Sequence, residues 1–401
     1  MKLLRNGGVK LELQPVQQSE RISSIDILRG FSLLGILLVN IIAFYVPMPH
    51  VLDLPNWFTD ANDLIFHQYL DIYVQSSFYP LFSMLFGYGI AMQFTKAKEA
   101  NVSFYQFATK RLILLFILGI LHAYLIWWGD ILATYAFCGF FLMLFIRLGA
   151  KWLFSLALII NGFLQFLILF SFSVNGGMHK EVEAAPLDLI AIQDAITAYA
   201  TGNWYDAFNQ RLVDVAIQFE PGMWISALFT ILPYMLLGAA ASKLKLIERA
   251  KQYWKMWLAI AFVGIAVGLF IKNAPILYTR TEFLEYAKVY IGGPILAIGY
   301  IGFVITLCQF RKVVRFLTPV AKLGRMSLTG YLMQSIILSV LFYHWGYGLY
   351  GKIDVRMGIY IAVEIYIVQL IIAELWFIKF KQGPIEWGMK EIIYNKKLSE
   401  K

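Results

Sequence analysis

The sequence predicts an all-α, polytopic helical membrane protein with about ten transmembrane helices and both termini on the cytoplasmic side. Three observations predict it. Of 401 residues, 60% are hydrophobic and 15% are charged, whereas a soluble domain carries about 25% charged residues. Several apolar runs reach the length of about 18 residues needed to cross a hydrocarbon core of about 30 Å. Lys and Arg gather in alternate loops, as the positive-inside rule requires. The alternating segments of a membrane β-barrel are not visible.

The remaining composition fits this class. The net charge of +9 comes from the loops that the rule places inside, so it is no nucleic-acid signature. Cys138 and Cys308 each lie in an apolar run, which argues against a disulfide framework or a metal cluster. No phosphate-binding Walker loop, G-x-S-x-G elbow or metal-spaced Cys/His set occurs.

Taken in order, residues 1–24 are polar and mostly basic and read as a cytoplasmic tail. The first span, about 25–45, opens on Ser23-Ser24-Ile25-Asp26, a helix-start pattern, and is expected to be an uncleaved anchor. The loop 46–67 has Asp53, Asp60 and Asp63 but no Lys or Arg, which assigns it outside. A second span, about 70–94, contains Pro80 and Gly87-Tyr88-Gly89 and is expected to be kinked. Spans three (about 111–127) and four (to about 148) form a hairpin turning at Trp128-Gly129-Asp130.

Span five covers about 152–172. Residues 174–217 form the longest polar segment, with more Asp and Glu than Lys and Arg, but carry Tyr199, Trp204, Tyr205 and Phe208, so an external folded cap or amphipathic helix is expected. Spans six to ten come next at about 223–241, 256–271, 290–310, 323–345 and 358–380; the basic stretches 243–255 and 311–325 are assigned inside, and the loop 272–287 is mixed in charge. The transmembrane domain therefore covers 25–380, with a cytoplasmic tail over 381–401. No internal repeat is evident, which disfavours an inverted-repeat transporter.

Within the hairpin, His122 and Asp130 stand eight residues apart between two apolar runs, beside Trp127 and Trp128. Ionisable groups at such positions are costly and mark function or a partner. A neutral imidazole suits general-base work near pH 7, with a carboxylate to orient it. The plainer alternatives are that His122 bonds a neighbouring helix and Asp130 caps span four. Asn40 and His50 lie near the outer end of span one and could join His122 in one external pocket; a solvated loop histidine is the alternative for His50. His67 and His344, at span ends, read as interfacial.

At the inner face, Asp26 and Arg29 share a helix face and can pair or meet an anionic ligand. Lys322 and Arg325 can bind phosphates or simply signal topology. Glu364, Glu374, Gln334 and Gln369 lie within spans and suggest a polar pathway through the bundle.

Five ordered stretches carry a resemblance that spans nearly the whole chain: R-x-x-S-I-D-I-L-R-G-F-S-L-L-G-I-L-L-V-N from Arg21 to Asn40, F-Y-P-L-F-S-M-L-F-G from Phe78, L-H-A-Y-L-I-W-W-G-D-I-L-A-T-Y-A from Leu121, L-G-R-M-S-L-T-G-Y-L-M-Q-S from Leu323 and Q-G-P-I-E-W from Gln382. They resemble the bacterial YeiB-like family. The D-x-L-R-G opening and closing V-N also resemble the wider transmembrane acyltransferases, including acyltransferase-3 and heparan glucosaminide N-acetyltransferase proteins. That resemblance implies transfer of an acyl group, usually acetyl, from cytosolic acyl-CoA to a sugar on the far side. In the lysosomal enzyme a histidine shortly after the V-N is catalytic, and His50 stands close to that position. YeiB-like proteins are expected to keep instead the histidine of the L-H-x-x-L-x-W-x-G-D motif, which favours His122.

The expectation is a multi-pass acyltransferase of the plasma (bacterial inner) membrane. Its catalytic candidates are His122, Asp130 and His50. Asn40, Trp127, Trp128 and Glu364 would meet the acceptor, a sugar or envelope glycan. Asp26, Arg29, Lys322 and Arg325 would meet acetyl-CoA or another acyl-CoA donor, and no metal is expected. Membrane lipids are the implied surroundings, nucleic acid is not a partner, and a homodimer stays open. The rival is a transporter or channel for a small metabolite, using Glu364, Glu374 and the glutamines as a relay.

Overall fold

The computed structural model describes residues 22–394 apart from 52–53, 59 and 184–186. Most of the expected amino-terminal tail, Asp53 and residues 395–401 fall outside the described residues. The chain forms α1 (Ser23–Tyr45), α2 (Leu54–Trp57), α3 (Ala61–Tyr73), α4 (Phe78–Glu99), α5 (Phe104–Leu125), α6 (Leu132–Phe145), α7 (Ala150–Asn175), α8 (Leu189–Ile196), α9 (Trp204–Gln218) and α10 (Pro221–Thr230). It continues as α11 (Leu232–Lys243), α12 (Trp254–Leu277), α13 (Glu282–Ala287), α14 (Gly293–Leu307), α15 (Arg311–Phe316), α16 (Thr318–Arg325), α17 (Ser327–Phe342), α18 (Val355–Lys379) and α19 (Pro384–Tyr394). Among the described residues the only extended pairing is an isolated bridge between Glu181 and Thr281.

The all-α membrane architecture is therefore as expected. Among the described residues, seven helical stretches are long and apolar enough to cross a bilayer: α1, α5, α7, α10 with α11, α12, the run from α13 to α14, and α18. The pair α16 and α17 makes an eighth. Helices α4 and α6 occupy the other two of the ten expected segments, and α6, at 14 residues, is shorter than the roughly 20 residues a perpendicular crossing needs. Span nine departs from expectation: it bends by 87° between α16 and α17. The break falls at Met326, and the freed N–H groups of Leu328 and Thr329 donate to Glu386 of α19 at 2.8 and 3.2 Å.

Helix α1 is the central element. It packs against α4, α14, α16, α17 and α18, and most of its length is buried, including Asp26. Small residues bring the other helices close, as bilayer packing favours. Gly87 of α4 lies against the Met235 backbone of α11, and Gly238 of α11 lies reciprocally against the Met84 backbone of α4. Helix α7 sits at the periphery with an exposed apolar surface, including Phe163, Phe166 and Phe170, suited to lipid. Among the described residues of the 174–217 segment, α8 and α9 form a folded cap, and α9 begins in a capping box of Asn203 and Asp206.

Candidate functional site

The hairpin between α5 and α6 places His122 and Asp130 together. The turn is tight: the Trp127 N–H donates to the His122 carbonyl at 3.0 Å, and the Asp130 N–H to the Trp128 carbonyl at 2.9 Å. The close approach of the two helices depends on Gly119, where an added Cβ would lie 2.6 Å from Asp130 Oδ1. His122 is 2% exposed and Asp130 is fully buried. His122 Nδ1 lies 2.8 Å from Asp130 Oδ2, and Asp130 Oδ1 accepts the Ala133 N–H at 2.9 Å. The carboxylate thus both orients the imidazole and caps α6; the two sequence alternatives for Asp130 hold together.

With Nδ1–H donating to Asp130, Nε2 carries the lone pair. That atom is buried and has no hydrogen-bond partner among the described residues. The imidazole ring lies 5.3 Å from the ring of Tyr331 on α17, and Tyr331 lines a cavity of about 380 Å³. This inner cavity opens among the starts of α1 and α5, the end of α16 and α19, on the side that the basic loops assign to the cytoplasm. Arg29, Lys96, Arg111, Arg325 and Lys390 line it against two carboxylates, Asp26 and Glu386, so its field is positive. Arg111, Leu115 and His122 share one face of α5, since offsets of four and eleven residues return to the same side. The walls between the basic mouth and Tyr331 are apolar (Leu33, Ile36, Phe82, Phe86).

The other sequence candidates divide. Asp26 and Arg29 pair at 3.7 Å and both line the inner cavity, as does Arg325, which donates to the Lys381 carbonyl at 3.0 Å and stacks its guanidinium 4.1 Å from the Phe377 ring centroid. Lys322 does not join them. It pairs with Glu374 of α18, away from the cavity; three residues before Arg325 on the same helix, its side chain leaves the axis about 60° away. Lys96, Arg111 and Lys390 take its place; the eleven-residue spacing of Arg111 and His122 was the sequence signal for one of them.

His50 is not part of the His122 site. It faces the cap, where Nε2 lies 3.2 Å from Asp214 Oδ1 and 3.2 Å from Gln210 Nε2, while Tyr199 donates to Asp214 Oδ2 at 2.6 Å. Its bond to Asp214 outweighs partial burial and raises its pKa above the usual histidine value. The external pocket expected to unite Asn40, His50 and His122 is thus not assembled. Asn40 is half-buried and lines neither the inner cavity nor a second cavity at the outer end of α1.

Trp127 is a packing residue, stacked on Phe44 at 4.2 Å, with its indole N–H on the Ala43 carbonyl at 3.3 Å; Trp128 leans on it with ring centroids 5.8 Å apart. Glu364 lies on the exposed side of α18 and lines neither cavity. Gln334 and Gln369 bond each other at 2.9 Å and reach the backbone of α1 and α17, so they clamp helices. Among the described residues no cluster of His, Cys, Asp or Glu could hold a metal ion.

A family model described as a protein of unknown function (DUF418) matches residues 241–396. The chain is 33% identical over 399 residues to the "Uncharacterized protein YxaH" of Bacillus subtilis, covering 95% of this chain and 96% of the relative. The chain belongs to the YeiB-like DUF418 family. It is also 29% identical to the "Uncharacterized protein YeiB" of Escherichia coli, covering 93% of this chain and 96% of that one. The DUF418 match takes in α12 to α19, hence Arg325, Tyr331 and Glu386 on one wall of the inner cavity. The His122–Asp130 hairpin lies outside it, within the near-full-length similarity to YxaH.

Proposed function

We propose that this DUF418 protein is an acyltransferase of the plasma membrane that moves an acyl group, acetyl foremost, from cytosolic acyl-CoA to an extracytoplasmic sugar or envelope glycan. The observation that carries the reading is the His122–Asp130 pair: a buried, carboxylate-oriented imidazole whose other nitrogen has no protein partner among the described residues, one aromatic ring away from a basic cavity. The likeness of Asp26–Asn40 to the transmembrane acyltransferases supports it.

In this reaction His122 Nε2 takes the proton from the acceptor hydroxyl or amine. The acceptor heteroatom attacks the thioester carbonyl, the C–S bond breaks, and the CoA sulfur leaves as thiolate and is protonated. Asp130 stabilises the imidazolium that forms. Proton abstraction requires Nε2 within about 3 Å of the acceptor, so Tyr331, which stands between cavity and base, moves aside on binding. The basic mouth suits the phosphates of the donor. Transport finds less support, because Glu364, Glu374 and the glutamines do not converge on one path.

The test is binding of acetyl-CoA to purified protein by calorimetry, with Arg29→Ala and Arg325→Ala alongside, followed by an acceptor screen with His122→Ala as control. Saturable binding weakened by either substitution is expected. Absence of binding to acetyl-CoA and to longer acyl-CoAs sinks the donor assignment.

A further inference from the structure

A second cavity, of about 500 Å³, lies at the opposite end of α1, among α1, α3, α12 and the segment before α14. The acidic loop 46–67 assigns this end to the outside. It uses Leu38, Val39 and Ile42 of α1, which point to a different face from Arg29, Leu33 and Ile36 of the inner cavity, at about 100° per residue. The two cavities are thus separate sites, and occupancy of the outer one does not depend on acyl transfer.

The outer cavity differs from the inner one in charge. Asp71 and Glu285 balance Arg280 and Lys288 on its rim. Lys288 Nζ lies 2.7 Å from Asp71 Oδ2 and also pairs with Glu285, and Arg280 Nε lies 2.7 Å from Glu285 Oε1. An anionic ligand would have to break these pairs and face two carboxylates, which is costly at partly buried positions. Hydroxyl groups can donate to the carboxylates and accept from the N–H groups of the rim with the pairs intact.

Below the rim the walls are aliphatic, including Val39, Ile42, Val74, Ile276 and Val289. No Phe, Tyr or Trp lines the cavity among the described residues. The only aromatic ring in its lining among the described residues is the His67 imidazole, so a free sugar finds little aromatic face there, whereas an alkyl chain finds matching apolar surface.

The floor is built under strain. Ser76, between α3 and α4, has φ of +61°, a left-handed conformation unfavourable for a residue with a Cβ. Two contacts hold it: the buried Lys272 ammonium donates to the Gln75 carbonyl, and Gly293 lets the Ser76 carbonyl approach, since a Cβ there would meet it at 2.5 Å. Gln75 and Ser76 both line the cavity, and backbone strain of this kind gathers at ligand sites.

We infer that the outer cavity binds an amphiphile with an aliphatic chain and an uncharged polyol headgroup, such as a glycolipid of the outer leaflet. The chain fills the space between α1 and α12, and the hydroxyls engage the Asp71–Lys288–Glu285 rim.

The experiment uses the full chain in nanodiscs of phosphatidylcholine, titrated by native mass spectrometry with n-octyl β-glucoside below its micelle concentration. Glucose and n-octyl phosphate are the comparison probes. Val39→Trp fills the outer cavity and Leu33→Trp the inner one. The expected result is saturable octyl glucoside binding that weakens at least tenfold in Val39→Trp and is unchanged in Leu33→Trp. Octyl phosphate should bind at least tenfold more weakly, and glucose not measurably. Equal binding to wild type and Val39→Trp, or a preference for octyl phosphate, overturns the inference. A measurement on the wild type guards against misfolded variants. A diazirine-bearing alkyl glucoside should label residues 38–42, 64–76 or 275–289, and labelling confined to other segments refutes the site.

Discussion

His122 Nδ1 lies 2.8 Å from Asp130 Oδ2 while the other oxygen of the same carboxylate holds the Ala133 N–H at 2.9 Å. One side chain therefore carries two separable tasks. Asn at position 130 can still cap α6, because Asn and Asp rank alike at that position. With its oxygen on the Ala133 N–H, its amide nitrogen faces Nδ1 and donates to it, so the imidazole keeps its place but carries its proton on Nε2 and loses the lone pair that the proposed acyl transfer needs. Asp130→Asn should keep its melting temperature but lose activity by about 10³- to 10⁴-fold, the scale seen when an orienting carboxylate is neutralised. Asp130→Ala should lose activity and about 1 kcal/mol of cap stability as well. Turnover beside thermal melts of the two variants separates the tasks.

Gly119 sets the spacing of that hairpin. A methyl group there meets Asp130 Oδ1 at 2.6 Å and also the Ala133 backbone, so α5 and α6 must separate. Gly119→Ala is expected to cost about 1–3 kcal/mol, as overpacking does, and to lower activity through Asp130. Gly149→Ala, where a Cβ meets nothing within 4 Å, serves as the neutral control in the same melts.

Donor binding at the inner cavity implies a contrast among the cations. Arg111 and Lys96 line the inner cavity, whereas Lys322 is paired with Glu374 outside it. Arg111→Ala or Lys96→Ala should weaken acetyl-CoA binding about tenfold at low salt, with the difference shrinking as salt screens it. Lys322→Ala should leave the affinity within a factor of about two. Calorimetry at two ionic strengths checks both statements, and a Lys322 effect as large as that of Arg111 contradicts the geometry.

The pair of His50 and Asp214 gives the cap a pH dependence. The bond to Asp214 raises the His50 pKa in the folded chain above its ordinary 6.5. A raised value means the folded state holds the proton more tightly than the unfolded one. The stabilisation is therefore complete below about pH 6.5 and is lost as pH rises through the folded-state value. Melting temperatures of wild type and His50→Gln should differ most in mildly acidic buffer and converge toward pH 8 to 9. A gap that widens with pH rules out this assignment.

Glu386 ties the carboxy-terminal helix to the break in span nine. It accepts from the N–H groups of Leu328 and Thr329 and from the Thr329 hydroxyl at 2.6 Å. Glu386→Ala leaves these donors unmet at a cost of about 1–3 kcal/mol. Because α19 also lines the inner cavity, the variant should show a lower melting temperature together with weaker acetyl-CoA binding. A stability loss with unchanged donor affinity would separate α19 from the cavity.

The sequence by itself determined the class, the order of the spans and the hairpin that brings His122 to Asp130. These are local properties. Hydrophobic run length, loop charge and a three-residue turn act over short stretches, and eight residues across a tight turn leave little freedom in where two side chains meet. The helices α8 and α9 were legible in the same local way, through the aromatic and apolar residues Tyr199, Trp204, Tyr205 and Phe208.

Tertiary structure decided the rest. Whether His50 meets His122 or Asp214 depends on where α9 settles, 164 residues further along the chain. Lys322 and Arg325 stand three apart on α16, yet Lys322 meets Glu374 of α18 while Arg325 lines the cavity and rests on Phe377 and the Lys381 carbonyl. Glu364 has the composition of a relay residue, but the rotation of α18 leaves it on the exposed side. Helix rotation and helix breaks are set by the packing of small residues against distant backbone, as at Gly87 and Gly238, and a linear pattern of apolar residues that face lipid or protein alike does not encode them.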